Sequence, residues 1–63
     1  MINKPTEEIE VKIQTAYGPL CSFYFSGPEA VENAQVLAVF AAKANDIEQV
    51  WVSQHGSIQW VKQ

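Results

Sequence analysis

The chain of 63 residues has few of the side chains from which small proteins build a chemical site or a structural support. Its one cysteine, Cys21, excludes an intrachain disulfide, and its one histidine, His55, leaves no recognisable zinc cluster. A domain of this size buries only about 60% of its unfolded surface and commonly needs such help or a second subunit. Self-association and a well-packed aromatic core therefore remain as the two possible sources of additional stability.

Positive charge is also scarce. The chain has four lysines, no arginine and a net charge of −3, so it repels phosphate, and general nucleic-acid binding is disfavoured. The acidic group Glu7, Glu8 and Glu10 fits a solvated or charge-protected edge strand, with contact to a basic partner as the alternative. No segment approaches the roughly 20 apolar residues of a membrane span, and residues 1–6 lack the apolar core of a signal peptide. We therefore expect a cytoplasmic protein with no membrane partner.

Residues 9–15 and 21–26 each alternate apolar and polar residues, which is typical of half-buried strands. Between them, Tyr17, Gly18 and Pro19 indicate a turn. A two-residue loop there would pair apolar residues of one strand with polar residues of the other. An odd-length loop unites the apolar sets, and we predict that it pairs Ile13 with Phe23 and Val11 with Phe25. Residues 1–7 are predicted to be a short mobile or edge-covering lead-in.

Residues 26–29 have the composition of a helix start. Ser26 is predicted to cap the helix, Glu29 to complete a capping box, and Pro28 to lie in the first turn. The helix should run to about Ala44. At about 100° per residue, one stripe consists mostly of small residues that can lie close on a sheet: Ala30, Ala34, Leu37, Ala38 and Ala41.

Three large apolar residues, Val36, Val39 and Phe40, fall toward the solvent side of the same helix. The second half of the helix is therefore apolar nearly all round. Such a helix is rarely fully solvated. We take these three residues as one candidate partner-binding surface.

The last two strands, residues 47–54 and 57–61, are joined by His55 and Gly56. A two-residue loop fixes the register, so Trp51 lies opposite Trp60 on one face. The other face then carries a second apolar set, Val50, Val52 and Val61. Both faces of this hairpin are apolar, but the chain has only one helix to cover a sheet. One face is left for a partner, and we favour the tryptophan face over the valine face.

This order of elements predicts an α+β fold, β-β-α-β-β, as one domain of residues 1–63. Its four-stranded, mainly antiparallel sheet carries one helix on one face, and the strand order stays open. The candidate partner-binding residues are Trp51, Trp60, Tyr24, Val36, Val39 and Phe40.

No catalytic, metal or cofactor site is predicted. Cys21 and His55 are the only candidates for a nucleophile and a base, but a catalytic pair also needs an orienting group and an oxyanion site. Neither has a signal in the sequence. Cys21 is predicted to be a buried, unreactive packing residue.

In size, acidic charge and sheet-plus-helix plan, the chain resembles the short single-domain proteins that phages and mobile elements encode to bind and inhibit host machinery. The resemblance implies a non-enzymatic inhibitor or accessory factor that acts by protein–protein contact. Its partner would be a host protein, a second copy of itself, or both, and self-contact could run sheet to sheet or helix to helix. The alternative function is a single-stranded nucleic-acid binder that stacks bases on Trp51, Trp60 and Tyr24.

Overall fold

A computed structural model describes residues 8–63 of the chain. Four strands and one helix follow in the order β1 (Glu8–Thr15), β2 (Leu20–Ser26), α1 (Ala30–Ala42), β3 (Ile47–Gln54) and β4 (Ser57–Lys62). The strands form one antiparallel sheet in the order β2-β1-β3-β4, with α1 packed on one face. The predicted α+β fold is confirmed. The predicted lead-in at residues 1–7 lies outside the described residues.

The core lies between α1 and the two central strands. Its buried residues come from β1 (Ile9, Val11 and Ile13), from β3 (Val50) and from α1 (Ala30, Ala34 and Ala38). Because an alanine side chain is a single methyl group, α1 can lie close on the β-branched side chains of the sheet. Leu37 and Ala41 pack against this cluster, so the predicted stripe of the helix is confirmed.

The first hairpin has the predicted odd-length loop, but the predicted partners were wrong by two residues. Val11 pairs with Phe23 and Ile13 with Cys21, and the last pair, Gln14 with Leu20, leaves five residues, 15–19, in the loop. Beyond Gln14 the β1 strand continues against β3 instead, where Thr15 pairs with Ile47 past a bulge. The Gln14 side-chain amide closes the loop by donating to the carbonyls of Thr15 and Gly18, each at 3.1 Å.

The helix begins later than predicted, and Ser26 does not cap it. Ser26 is the last residue of β2, paired with Glu8, and the chain then turns through Gly27 at φ 99°. Glu29 occupies the N-cap position without a side-chain hydrogen bond. The capping box fails because the sheet holds Ser26 three residues before the cap. The helix ends at Ala42, not Ala44, in a tight turn where the Lys43 N–H donates to the Phe40 carbonyl.

The second hairpin has the predicted two-residue turn. His55 and Gly56 both have positive φ (52° and 82°), which is the geometry of a type I′ turn. Trp51 pairs with Trp60 as predicted, but the register shifts beside them, so that Lys62 and not Val61 lies opposite Val50. Val61 is thus the extra residue of a β-bulge and is 38% exposed; it borders one groove with Val52 and Ala38 on the helix side of the sheet, as predicted, but does not pair with Val50.

Candidate protein-binding surfaces

The sheet has one face against α1 and one face without a covering element among residues 8–63. We call the second face the open sheet face. Residues directly opposite each other in antiparallel strands share a face, so the register arranges it in two rows across the strands. One row contains Ser22, Lys12, Trp51 and Trp60, and the next contains Tyr24, Glu10, Ser53 and Ile58. The favoured tryptophan face is therefore the uncovered one.

The two tryptophans lie together on this face. Their ring centroids are 4.8 Å apart, with the ring planes tilted by 48°. Trp51, on the inner strand β3, is half-buried, whereas Trp60, on the edge strand β4, is 44% exposed. Ile58 follows on the same face of β4 and is 56% exposed. Trp51, Ile58 and Trp60 form one apolar surface, here called the tryptophan patch.

Tyr24, the third predicted aromatic contact, lies apart from the tryptophan patch. It stands on the other edge strand, two strands or about 10 Å from Trp51 in the hydrogen-bonding direction. Its hydroxyl donates a hydrogen bond to its neighbour across the strands, Glu10. This bond and the negative charge of Glu10 raise the pKa of Tyr24 above its usual value. Tyr24 thus belongs to a polar part of the open sheet face.

Charges separate Tyr24 from the tryptophan patch. Glu8, Glu10 and Lys12 alternate with the core residues of β1 and so point to the open sheet face. The Lys12 ammonium lies 3.7 Å from a Glu10 carboxylate oxygen, which offsets its charge. Lys62 lies opposite buried Val50, and its ammonium donates to the Ala44 carbonyl beyond the end of α1 at 3.0 Å. The open sheet face of the described chain is therefore acidic overall.

The second predicted surface lies on the outer side of α1. Val36, Val39 and Phe40 of α1 are 69%, 49% and 77% exposed, and Val39 also borders a groove between α1 and the sheet. We call these three residues the outer helix patch. Glu32 lies toward the N-terminal end of the helix and Lys43 at its C-terminal end, and both border the same shallow depression as the patch. The structure thus exposes all three helix residues that were predicted from the sequence.

Cys21 and His55 are not brought together. Cys21 pairs with Ile13, whereas His55 follows Gln54, which pairs with Ile9. They therefore lie toward opposite ends of the sheet, separated by about four residues or roughly 13 Å along β1 alone. This is too far for direct proton transfer. Cys21 is half-buried on an edge strand, not fully buried as predicted, and its thiol contacts the Pro19 carbonyl at 3.7 Å.

Two contributors to these surfaces were missed from the sequence. Ile58 lies two residues before Trp60 and so shares its face, a signal that the alternation along β4 already contained. The direction of the Lys62 side chain toward the helix could not be read from the alternation along β4, because it depends on the bulge at Val61. Within residues 8–63, no three histidine, cysteine or acidic side chains are grouped to hold a metal ion, and no helix is long and apolar enough to cross a membrane.

Comparisons of the chain with protein-family models, with curated proteins and with solved structures gave no match.

Proposed function

We propose that this protein is a non-enzymatic binding module that uses the tryptophan patch to bind another protein. The observation that carries the proposal is a tryptophan pair on an uncovered sheet face, with Trp60 44% and Ile58 56% exposed on the edge strand. A chain that places its bulkiest aromatic side chains outside the core leaves apolar area that a partner can remove from water. Tryptophan is also among the residues that most often dominate binding energy at protein interfaces.

The charges beside the patch indicate the chemistry of the partner. Glu8 and Glu10 lie toward one end of the open sheet face, and the Lys12 ammonium is paired with Glu10. A partner surface with an apolar centre and a basic group on the side of Glu10 would complement this arrangement. Such charges at the rim contribute more to the rate of association and to orientation than to affinity.

We extend the proposal to an inhibitor or accessory factor of a host protein, of the kind that phages and mobile elements encode, acting in the cytoplasm. Small size, net negative charge and two exposed apolar surfaces support this extension. The free thiol of Cys21 fits a reducing compartment. A second copy of the chain is the other proposed partner, through a different surface.

Single-stranded nucleic acid is the second candidate occupant of the same face, because bases stack on exposed aromatic rings. Proteins that bind this way combine the rings with a basic groove. Here Lys12 is paired with Glu10, and Lys62 donates to a carbonyl on the helix side. We therefore place the protein partner first. Titrating a short oligothymidine at low salt tests the alternative: stacking would quench tryptophan fluorescence, and we expect no quenching.

The main experiment compares matched baits in a pull-down from host extract: the unchanged protein, Trp60→Ala and Gln59→Ala. Gln59 is the exposed neighbour of Trp60 on β4 and faces the other side of the sheet, so its substitution is the control. A specific partner should bind the unchanged protein and Gln59→Ala equally. It should bind Trp60→Ala at least about 30-fold more weakly, corresponding to a loss of about 2 kcal/mol.

Circular dichroism and thermal unfolding of each bait check that the fold survives. Purified partners should then be titrated against the three baits. Equal affinity for folded Trp60→Ala would contradict the proposal and move the binding surface elsewhere.

A further inference from the structure

We infer that the outer helix patch is a self-complementary surface that pairs with the same patch of a second copy, with the two α1 helices antiparallel. This inference names the self-contact left open above and does not depend on the tryptophan patch. Its basis is the arrangement of charge and apolar side chains along one side of α1. Glu32, Val36, Val39 and Lys43 fall within about 60° of one another around the helix axis.

The positions of these four residues are symmetric along the helix. Glu32 and Lys43 are about 16 Å apart along the axis, and Val36 and Val39 about 4.5 Å. Both pairs are centred on one point, midway between Leu37 and Ala38. A two-fold axis through that point sets Glu32 against Lys43 of the second copy, twice. The same operation sets Val36 against Val39, also twice.

Charge selects the antiparallel arrangement. With parallel helices, Glu32 would face Glu32 and Lys43 would face Lys43 of the second copy, so both contacts would be repulsive. At the 8–10 Å axis separation usual for packed helices, long side chains at the same level can meet. A closed two-fold contact also uses the patch completely on both copies, as is usual in homodimers.

The apolar centre supplies the attraction. Phe40, 77% exposed, lies about 40° from Val36 around the helix axis, and the two-fold operation brings it to the side of the contact on which Val36 of the second copy lies. The residues of this contact all border the depression on the outer side of α1: Glu32, Val36, Val39, Phe40 and Lys43.

The proposed dimer leaves the tryptophan patch accessible. The outer helix patch lies on the outer side of α1, whereas the tryptophan rings pair on the open sheet face; the two patches come nearest at the groove between α1 and β4, which Val39 and Trp60 both border. Two copies joined through their helices would therefore leave the open sheet faces uncovered, with Trp60 at the edge nearest the helix contact. Self-association and partner binding can occur together and can be tested separately.

The test is a charge-exchange experiment followed by sedimentation equilibrium from about 1 μM to about 1 mM, the range in which modest interfaces associate. The unchanged chain should dimerise. Glu32→Lys alone and Lys43→Glu alone each make both charge contacts repulsive and should weaken dimerisation about tenfold. An equimolar mixture of the two variants should form a heterodimer of nearly the original affinity, because each charge contact then again joins one lysine and one glutamate.

The mixture is its own control for folding, since neither variant changes when the two are combined. A mixture that associates no better than its components would overturn the antiparallel pairing. A monomer throughout the concentration range for the unchanged chain would overturn the dimer itself.

Two further variants locate the contact. Val36→Glu should abolish dimerisation, whereas Trp60→Ala should leave it unchanged. The opposite result, with the dimer lost in folded Trp60→Ala and kept in Val36→Glu, would assign self-contact to the sheet and refute the helix pairing. Failure of the partner experiment with an intact helix dimer would count against the proposed function alone.

Discussion

Replacing Val50 and Val61 separately by alanine tests the bulge in β4. Val50 is fully buried in the core, whereas Val61 is 38% exposed. Each substitution removes two methyl groups, and at about 0.8 kcal/mol per buried carbon the transfer loss at Val50 is about 1.6 kcal/mol. The cavity left in a close-packed core raises the expected loss in unfolding free energy to about 2–3 kcal/mol.

Val61 is the matched control, since it carries the same side chain on the neighbouring strand. Because more than a third of the Val61 side chain is already exposed to water, its replacement should lower the unfolding free energy by about 1 kcal/mol or less, and it should leave no closed cavity. Without the bulge, Val61 would lie opposite Val50 and the two losses would be similar. The difference between the variants therefore measures the position of Val61.

Both variants can be measured by thermal and urea unfolding, followed by circular dichroism at one protein concentration. In a domain of this size, 1 kcal/mol corresponds to about 4–8 °C in Tm, so Val50→Ala should lower Tm by about 10–20 °C. Equal losses for the two variants would refute the register shift. A larger loss for Val61→Ala would refute the assignment of the core.

Three other substitutions have defined outcomes. Ser26→Ala should change the unfolding free energy by less than about 0.5 kcal/mol, since Ser26 is not the helix cap; a loss above about 1 kcal/mol in urea unfolding would restore that role. Lys62→Met should cost about 1 kcal/mol by removing the 3.0 Å bond from its ammonium to the carbonyl of residue 44, while the exposed Lys43→Met should stay within about 0.5 kcal/mol in the same assay. Glu10→Gln should lower the pKa of Tyr24 toward 10.0, because the carboxylate that opposes phenol ionisation is gone. Phenolate absorbance, read with the other tyrosine replaced by phenylalanine, checks this. Because the folded pKa is raised, the stability from this pair is present at neutral pH and is lost as pH rises through the tyrosine range; an unchanged pKa would contradict the contact.

The elements and faces were predictable because they depend on local periodicity. Alternation in residues 9–15 predicted the half-buried first strand, and the 100° spacing of the alanines predicted which side of α1 packs on the sheet. The His55-Gly56 turn fixed the Trp51–Trp60 pairing for the same local reason. The uncovered tryptophan face and the exposed outer helix patch followed from these patterns.

The errors came from pairing between strands, which local patterns do not fix. Ser26 has a good capping sequence, but pairing with Glu8 keeps it in β2. In the first hairpin the pairing of β1 with β2 stops at Gln14 and Leu20, and Thr15 pairs with Ile47 on β3 instead. Val61 is displaced by the bulge that turns Lys62 toward Ala44. Only the pairing of Thr15 depends on the strand order, whereas the other two arise within the hairpins; none of the three follows from periodicity alone.

The strand order β2-β1-β3-β4 has a consequence for folding kinetics. Each hairpin contributes one edge strand and one central strand, and the hairpins meet only where β1 pairs with β3, between residues 32 to 45 positions apart in the chain. Isolated hairpins are only marginally stable in water, and neither could hold its apolar face without α1 and the other hairpin. We expect both hairpins to form early and reversibly, and the rate of folding to be set by their docking along β1 and β3. Backbone amides on these two strands should then exchange with solvent only on global unfolding, whereas outward-facing amides of β2 and β4 exchange from the folded state.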